Sequence, residues 1–274
     1  MSKIRLDVYL HDNGYFDSRE KARIAIMEGK VFVNNQKEDK PGTMIKEDAE
    51  VLVKDAKLKY VSRGGYKLEK AINVFNIDLK DKVCVDIGSS TGGFTDCMLQ
   101  NAAKKVYAVD CGTNQLDYRL RTDDSVIVME NTNARYLTKE MLNKINDDDT
   151  CNIDFITSDV SFISLTKIIP VIKDLLVENG ESVLLIKPQF EAGKELVEKN
   201  GVIKDKKIHV DVIKKIIDFC REYSFVVKGL DFSPIKGPAG NIEYLLYIKN
   251  DESKDLIDDK LIEYVVKESH EKLE

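Results

Sequence analysis

The sequence predicts an α/β fold, in which a Rossmann-like domain with a mostly parallel, seven-stranded sheet follows a small α+β module. Three observations support this fold class. Between residues 66 and 250, short apolar runs alternate with helical patterns, as in a doubly wound sheet. The first of these runs leads into a glycine-rich turn. Residues 1–57 carry a different pattern, of short helices followed by short strands.

The composition predicts a cytoplasmic protein without a metal site. At 274 residues, the chain has room for one ordinary domain and a small appendage. It has neither a membrane-length apolar run nor a signal-peptide region at its start. Its three histidines and the absence of Cys-x-x-Cys or His-Glu-x-x-His spacing argue against a zinc site and a histidine triad. Five widely spaced cysteines are predicted to be reduced and buried: Cys84, Cys97, Cys111, Cys151 and Cys220.

The charge of the chain is unevenly distributed. The net charge is -6, which by itself argues against a nucleic-acid partner. Residues 1–70, however, contain 15 Lys plus Arg against 12 Asp plus Glu, a net +3 that leaves -9 for the remainder. A basic stretch closes this part, with Lys54, Lys57, Lys59, Arg63, Lys67 and Lys70. Residues 251–274 are acidic and are predicted to form a helix with a solvated face.

The N-terminal module, residues 1–57, is predicted to contain two helices and a hairpin. A short amphipathic helix follows Arg5-Leu6-Asp7, and Asp17-Ser18-Arg19-Glu20 is a capping pattern for a second helix that ends at Gly29. Val31–Val33 and Val51–Val53 are predicted strands, with a tight turn at Asn34-Asn35. The basic residues at the start of the second helix either meet phosphates or form an ordinary exposed face.

Three motifs in this module resemble the S4 RNA-binding domain. They are Arg-Leu-Asp at 5–7, Ser-Arg-x-x-Ala at 18–22 and Gly-x-Val-x-Val-Asn at 29–34, and the likeness covers about the first fifth of the chain. The resemblance implies RNA contacts at Arg5, Ser18, Arg19, Lys21 and Arg23. Arg63, in the basic connector, is a further candidate for RNA binding.

A polar connector, residues 58–65, is predicted to separate this module from a domain over residues 66–250. Its Arg63-Gly64-Gly65 gives the backbone freedom just before a helical apolar spacing begins at Leu68. The predicted strands are Val83–Ile87, Val106–Val109, Val126–Met129, Ile153–Thr157, Val183–Ile186, Phe225–Leu230 and Glu243–Ile248. The loop before the last strand is too short for a crossover helix, so that strand is predicted to be antiparallel.

The glycine turn after the first of these strands predicts a cofactor site. The turn reads Asp86-Ile87-Gly88-Ser89-Ser90-Thr91-Gly92-Gly93-Phe94 and leads into a helix, whose free N–H groups meet polar ligand atoms. A dinucleotide site expects a second glycine where Ser90 stands, which argues against NAD. Asp86, two residues before the first glycine, suits the ammonium of a methionine zwitterion. S-adenosylmethionine is therefore the predicted cofactor, with Asp86, Gly88, Ser89, Ser90, Thr91, Gly92, Gly93 and Phe94 as its candidate contacts.

Three residues at later strand ends extend this cofactor site. Asp110 ends the second strand at the distance expected of a carboxylate that accepts hydrogen bonds from a cofactor ribose. Asn133 follows the third strand and either contacts the adenine edge or simply forms a turn. Asp159 closes the fourth strand, where the cofactor sulfur is expected. All three belong to the carboxyl edge of the sheet, where open α/β sheets bind ligands.

Four charged residues form the predicted catalytic set. Lys187 follows the apolar run Val183–Ile186, and its expected burial favours loss of the ammonium proton, so that it can act as a base. Asp159 and Glu243 are the carboxylates expected to orient it, and Lys67 adds a second ammonium. Taken alone, each residue is better explained as a solvated side chain at an element end. The ordered Lys, Asp, Lys, Glu series as a set favours a shared cleft.

This series, together with the glycine turn, resembles FtsJ-type ribose 2′-O-methyltransferases of the class I methyltransferase fold. With the N-terminal module, the chain is similar to the TlyA family, whose members are bacterial ribosomal RNA methyltransferases also named haemolysins. The resemblance implies methylation of a cytidine 2′-hydroxyl, with ribosomal RNA or a ribosomal subunit as partner and no DNA or membrane. One alternative is a haemolysin-like or purely RNA-binding protein with a vestigial methyltransferase fold. Another is a methyltransferase that acts on a protein or a small molecule.

Overall fold

Three sheets organise the chain. The computed structural model describes residues 3–13, 15–16, 18–34, 36–46, 49, 51–54, 59–146, 152–198, 201–237 and 239–273. Within this part, a two-stranded and a three-stranded sheet belong to the N-terminal module, and a seven-stranded sheet belongs to the larger domain. The α/β class, the sheet of seven strands and the small module before it are as predicted.

The N-terminal module packs two helices on its two small antiparallel sheets. The helices are α1 (Leu6–Asp12) and α2 (Arg19–Met27), and the strands are β1 (Lys3–Arg5), β2 (Val31–Val33), β3 (Gln36–Glu38), β4 (Met44–Lys46) and β5 (Val51–Val53). Strand β1 pairs with β4, and β2 lies between β3 and β5. Leu6, Leu10, Ile26 and Val31 are fully buried at its centre. The predicted cap at Asp17 and turn residue Asn35 lie outside the described residues.

Strands β1, β3 and β4 were not predicted. Each has three residues, with charged or polar side chains such as Lys3, Lys37 and Lys46 among them. A three-residue strand is too short to show an alternating pattern. Only the pairing of these segments across the module defines them as strands.

Helix α3 (Gly64–Phe75) begins inside the predicted connector. Tyr60, which precedes it, is buried, and a Cβ atom on Gly65 would lie 2.3 Å from the Tyr60 ring. A Cβ on Gly93 would lie 2.8 Å from the backbone nitrogen of Gly65, so the two glycines allow close packing of this helix on the glycine turn. Gly65 of the connector therefore allows close packing, in addition to the backbone freedom expected from the sequence. Lys57 and the rest of residues 55–58 lie outside the described residues.

The large sheet has the order β11-β12-β10-β9-β6-β7-β8. Its strands are β6 (Val83–Ile87), β7 (Lys105–Val109), β8 (Val126–Met129), β9 (Ile153–Ser158), β10 (Leu176–Ile186), β11 (Val226–Phe232) and β12 (Tyr244–Lys249). Strand β12 is antiparallel to both neighbours, and the remaining pairs are parallel, which confirms the predicted antiparallel last strand. Strand β10 starts seven residues before the predicted Val183, with an irregular register between Leu176 and Glu181.

Helices cover both faces of this sheet. They are α4 (Gly93–Gln100), α5 (Tyr118–Arg121), α6 (Lys139–Asn146), α7 (Ile169–Leu175), α8 (Pro188–Glu191), α9 (Lys206–Glu222) and α10 (Asp259–Leu273). Successive residues of β9 face opposite sides: Phe155 packs in one apolar cluster and Ile156 in the other. Two-sided burial explains why the parallel strands read as continuous apolar runs. None of the helices in the described ranges has the length and apolar content needed to cross a membrane.

Two expectations about burial require correction. The acidic run at the end of the chain was expected to be no more than a solvated face, but Ile262, Val265 and Val266 of helix α10 are buried against the sheet. Their spacing is that of an apolar helix stripe, which the surrounding charges obscure in the sequence. Of the cysteines, Cys84, Cys97 and Cys220 are free and buried, whereas Cys111 is free and exposed. Cys151 lies outside the described residues.

Candidate active site

The candidate site lies at the carboxyl edge of the large sheet, where the strand order reverses between β6 and β9. The glycine turn leaves β6 at this point, and Asp159 directly follows β9. In doubly wound sheets, the crevice at such a reversal is the usual ligand site. The topology therefore brings two segments 70 residues apart in the chain into one crevice.

The glycine turn packs closely against the loop that follows β9. Gly88 has φ 84° and would place a Cβ 2.6 Å from the carbonyl oxygen of Asp159, so only glycine fits there. Ser90 has φ 48°, and its backbone N–H donates to Oδ2 of Asp110 at 2.8 Å. Gly92, with φ 95°, precedes helix α4. A dinucleotide turn has glycine where this chain has Ser90. Ser90 nevertheless adopts a left-handed backbone conformation, and its hydrogen bond to Asp110, the residue after β7, holds it there.

Asp86 lies beneath this turn and is not among the residues that line the two cavities described below. Its carboxylate is fully buried and accepts hydrogen bonds from the hydroxyls of Thr95, at 2.7 Å, and Thr157, at 2.9 Å. Burial raises the pKa of Asp86 to about 6, although the two hydroxyl donors oppose the rise. In the structure this carboxylate ties the turn to β9 and α4. The expectation that Asp86 reaches a ligand ammonium, directly or through water, stays a prediction.

The raised pKa of Asp86 predicts a pH-dependent stability. A carboxyl group with a pKa of about 6 in the folded state and 3.8 in the unfolded state loses stabilisation as pH rises through that window. Asp86→Asn removes this loss. We expect the free energy of unfolding of the variant, relative to wild type, to rise by about 2 kcal/mol between pH 4.5 and 7.5. Urea denaturation at both pH values measures it, and a relative stability independent of pH would contradict the assignment.

A larger cavity of ≈ 570 Å³ extends from the turn across the ends of β7 and β8. Asp110 and Asn133, both predicted, line it. Asp110 is oriented by backbone N–H donors, from Ser90 to one oxygen and from Gly112 to the other at 2.7 Å. Oδ1 of Asn133 accepts from the backbone N–H of Arg135 at 3.1 Å, so this side chain also caps a short 3-10 helix. We call this space the cofactor cavity.

A smaller cavity of ≈ 290 Å³ adjoins it, and we call it the acceptor cavity. Lys67, Lys187, Ser89, Thr91, Gly93 and Phe94 line it, together with Ser62, Arg63, Gly64, Ile235 and Lys236. Gly88, Ser90, Asp159 and Ser161 line both cavities. A group that enters from one cavity can therefore meet a group from the other beside Asp159.

The four predicted catalytic side chains converge at this junction. Nζ of Lys187 lies 2.5 Å from Oδ1 of Asp159, and Nζ of Lys67 lies 3.3 Å from Oδ2 of the same carboxylate. Lys67 also donates to Oε2 of Glu243 at 2.7 Å. The Lys67, Lys187 and Glu243 side chains are 9%, 9% and 1% exposed. Sequence reasoning expected this set, and the structure brings all four together.

The ion pairs fix the charge state of part of this cluster. Burial alone would lower the pKa of Lys67, but the carboxylates of Asp159 and Glu243 outweigh burial and raise it. Burial likewise would raise the pKa of Asp159, but Lys67 and Lys187 outweigh it and lower it. Lys67 is therefore an ammonium and Asp159 a carboxylate near neutral pH. The cluster is polar and charged although it is nearly closed to bulk water.

Several residues that line the cavities were not predicted, and three of them carry polar or aromatic groups at the junction or the rim. Ser161 accepts a hydrogen bond from Nζ of Lys187 at 2.9 Å. Phe162 has φ 62° and is 91% exposed at the rim of the cofactor cavity, with its ring centroid 5.0 Å from that of Phe190. Both belong to the segment Ser158–Phe162, and their adjacency to Asp159 was the available signal. Lys236 lines the acceptor cavity from a loop that carried no motif.

The residues expected to contact RNA are placed at two locations. Arg5 and Arg19 both donate to the buried carboxylate of Asp7, at 3.0 Å each, which orients the two guanidinium groups at the surface of the module. Oγ of Ser18 accepts from the backbone N–H of Lys21 at 3.3 Å and caps α2. Ser18 therefore has a structural role whether or not it meets RNA.

Arg23 and Arg63 complete the predicted RNA set. Arg23 lies 3.7 Å from Glu20 on the exposed face of α2. Arg63 lines the acceptor cavity, and its guanidinium lies 5.9 Å from the ring centroids of both Tyr9 and Tyr15 in the N-terminal module. Arg63 is thus the predicted RNA residue that the structure brings to the catalytic cluster.

Two family models match the two parts of the chain. The chain matches the FtsJ-like methyltransferase model over residues 60–250 and the S4 domain model over residues 4–51. Hemolysin A of Brachyspira hyodysenteriae is 48% identical over 89% of this chain and 99% of that protein. The 16S/23S rRNA (cytidine-2'-O)-methyltransferase TlyA of Mycobacterium tuberculosis (strain ATCC 25618 / H37Rv) is 36% identical over 90% of each.

A solved structure of a hemolysin-named protein from Streptococcus thermophilus is also similar. It has a TM-score of 0.78 and 46% sequence identity, and the match covers 99% of this chain and 97% of that one. Both the family model and these relatives align over most of the chain. The chain therefore belongs to the FtsJ-like methyltransferase family, with an S4 domain at residues 4–51.

Proposed function

We propose that this protein transfers a methyl group from S-adenosylmethionine to the 2′-hydroxyl of a cytidine in ribosomal RNA. The observation that carries the proposal is the cluster of Lys67, Asp159, Lys187 and Glu243 where the two cavities meet. The names of the TlyA relatives, which specify cytidine-2'-O methylation of rRNA, support the choice of substrate. Such a substrate implies a cytoplasmic protein.

The residues around the cofactor cavity fit S-adenosylmethionine. At ≈ 570 Å³, the cavity is within the usual range for a ligand of this size. Asp110 retains acceptor capacity for two ribose hydroxyls because each carboxylate oxygen receives one backbone N–H. Gly88 leaves the backbone open beside Asp159. When bound, this cofactor supplies an electrophilic methyl group on a positively charged sulfur.

Lys187 removes the proton in the proposed reaction. A ribose hydroxyl is a poor nucleophile at neutral pH, so proton removal must accompany its attack on the methyl carbon. With the cofactor bound, Nζ of Lys187, as the neutral amine, would accept the proton that the 2′-hydroxyl loses as its oxygen takes the methyl group, and the resulting ammonium would pair with Asp159. The contacts of Nζ with Asp159 and with the Ser161 hydroxyl hold it where the two cavities meet.

Lys67 and Glu243 position the Asp159 carboxylate and the target ribose. Lys67 bridges Asp159 and Glu243, and so fixes the carboxylate on which the orientation of Lys187 depends. Its ammonium, retained near neutral pH, is available to hydrogen-bond the hydroxyls of the target ribose. The S4 domain supplies the surface that binds RNA remote from the reacting nucleotide, with Arg63 between that surface and the acceptor cavity.

The proposal is tested by following a labelled methyl group. Purified protein is incubated with tritiated S-adenosylmethionine and, separately, ribosomal RNA, total protein and lipid vesicles. We expect label in RNA alone, and 2′-O-methylcytidine after nuclease digestion and mass spectrometry. Label on a base, on protein or on lipid would contradict the proposed substrate. No transfer at all, together with lysis of erythrocytes, would favour the haemolysin alternative.

A further inference from the structure

Two cations that line the acceptor cavity, Arg63 and Lys236, have no carboxylate within 4.0 Å among the described residues. The guanidinium of Arg63 lies 5.9 Å from the rings of Tyr9 and Tyr15, so Lys236 is the cation without either kind of partner. Three lysines line this cavity, and two of them, Lys67 and Lys187, are matched by the carboxylates of Asp159 and Glu243. Lys236 is the third, and among the described residues it has no acidic partner within 4.0 Å. A partly buried ammonium that is left unpaired inside a ligand cavity favours an anionic ligand group.

The position of Lys236 along the sheet edge indicates which ligand supplies this anion. The cofactor cavity lies over the ends of β6, β7 and β8 on one side of Asp159. Lys236 is on the loop between β11 and β12, beyond β10 on the other side. Lys236 shares the acceptor cavity with Ser89 and Thr91 of the glycine turn, but it is not among the residues that line the cofactor cavity, and its loop leads into β12, which is three strands, at about 4.8 Å each, from β6. An anion that meets Lys236 is therefore expected to belong to the methyl acceptor.

The loop that carries Lys236 is held in place on both sides of this residue. The hydroxyl of Ser233 donates to the carbonyl of Ile235 at 2.6 Å, and the Ile235 side chain is buried. The backbone N–H of Gly237 donates to the carbonyl of Asn241 at 2.9 Å. Because the flanking residues are anchored, the lysine stem starts from a defined point on the cavity wall. Pro238, in the same loop, lies outside the described residues.

The same loop packs against Glu243, one of the four predicted catalytic residues. A Cβ atom on Gly237 would lie 2.5 Å from Oε1 of Glu243, so the backbone beside Lys236 packs directly on that carboxylate. Glu243 in turn accepts from Lys67. The unpaired ammonium is therefore tied through two contacts to the groups that surround the reacting hydroxyl.

We propose that Lys236 binds a backbone phosphate adjacent to the target ribose and so positions the 2′-hydroxyl for transfer. This inference rests on the proposed function, because a phosphodiester is the anion that an internal RNA nucleotide carries next to its 2′-hydroxyl. Lysine provides a compact point charge with rotatable donors, which suits a phosphate oxygen. Lys236 is a positioning residue in this role, since it touches the substrate backbone and not the reacting atoms.

The test compares Lys236→Ala and Lys236→Arg with wild type on one RNA substrate. For Lys236→Ala we expect kcat/KM to fall about tenfold, mainly through KM, as for loss of one phosphate contact. The slope of log RNA affinity against log salt, measured by filter binding, should become shallower by about 0.7 to 0.9. Lys236→Arg keeps the charge and should recover most of the affinity and the slope. The Kd for S-adenosylmethionine, measured by calorimetry, should be unchanged.

A matched control is Lys260→Ala, which removes an exposed lysine at the start of α10 and should leave all these quantities at wild-type values. An unchanged salt slope in Lys236→Ala would overturn the inference. Weaker binding of S-adenosylmethionine to this variant would also overturn it, because the anion at Lys236 would then be the cofactor carboxylate. If wild type itself methylates no RNA, the proposed function fails. If wild type is active and Lys236→Ala behaves identically, only the role of Lys236 fails.

Discussion

Replacing Lys187 by alanine is expected to lower the rate of methyl transfer by about 10²- to 10⁴-fold, the usual contribution of a general base. The variant loses the group that contacts Asp159 and Ser161 and lines the acceptor cavity. Single-turnover transfer to RNA, at saturating cofactor and RNA, measures the chemical step directly. Binding of S-adenosylmethionine should change little, because the cofactor cavity itself does not include Lys187.

Lys187→Arg separates proton removal from charge. An arginine can keep an ion pair with Asp159 but does not lose its proton near neutral pH, so it should be about as inactive as the alanine variant. Activity close to wild type in Lys187→Arg would show that only the positive charge matters. Lys173→Ala is the control, because Lys173 also bonds a side chain, Asn250 at 2.6 Å, but does not line either cavity. It should retain full activity.

Replacing Glu243 by leucine is expected to destabilise the fold by about 3–5 kcal/mol, the usual cost of leaving one partner of a buried ion pair. Glu243 is 1% exposed and lies 2.7 Å from Nζ of Lys67, which is itself buried. The variant therefore leaves an ammonium in a largely desolvated place with only Asp159 to compensate it. Urea denaturation followed by circular dichroism gives the free energy of unfolding.

The double variant Lys67→Met/Glu243→Leu tests this explanation. Since two apolar side chains replace the pair, its stability should return to within about 1 kcal/mol of wild type. Its methyl transfer should stay at least about 100-fold below wild type, because the groups that position Asp159 and the ribose are absent. If the destabilisation of the double variant instead equals the sum of those measured for Lys67→Met and Glu243→Leu alone, the pair is not the source of the lost stability.

The strands of the large sheet could be predicted because residues that are buried on both faces of a sheet are apolar, and this is visible in the sequence. Val83–Ile87 and Val126–Met129 are observed with the predicted bounds, since a parallel strand buried on both faces is an unbroken apolar run. Charged segments were harder to interpret. The buried stripe of α10 alternates with lysines and glutamates, and the early part of β10 is interrupted by Glu178 and Glu181, so neither showed a continuous apolar signal.

Residue type and order along the chain, by themselves, determined the α/β class, the cofactor turn and the identity of the four catalytic candidates. Each of these depends on local spacing: a strand followed by glycines, or a lysine at the end of an apolar run. Only the tertiary structure decided that Asp86 supports the turn from beneath, and that Lys236 lines the acceptor cavity with no acidic partner among the described residues. The direction of a side chain and the pairing of its charge depend on residues distant in sequence, which the order of strands brings together at one edge.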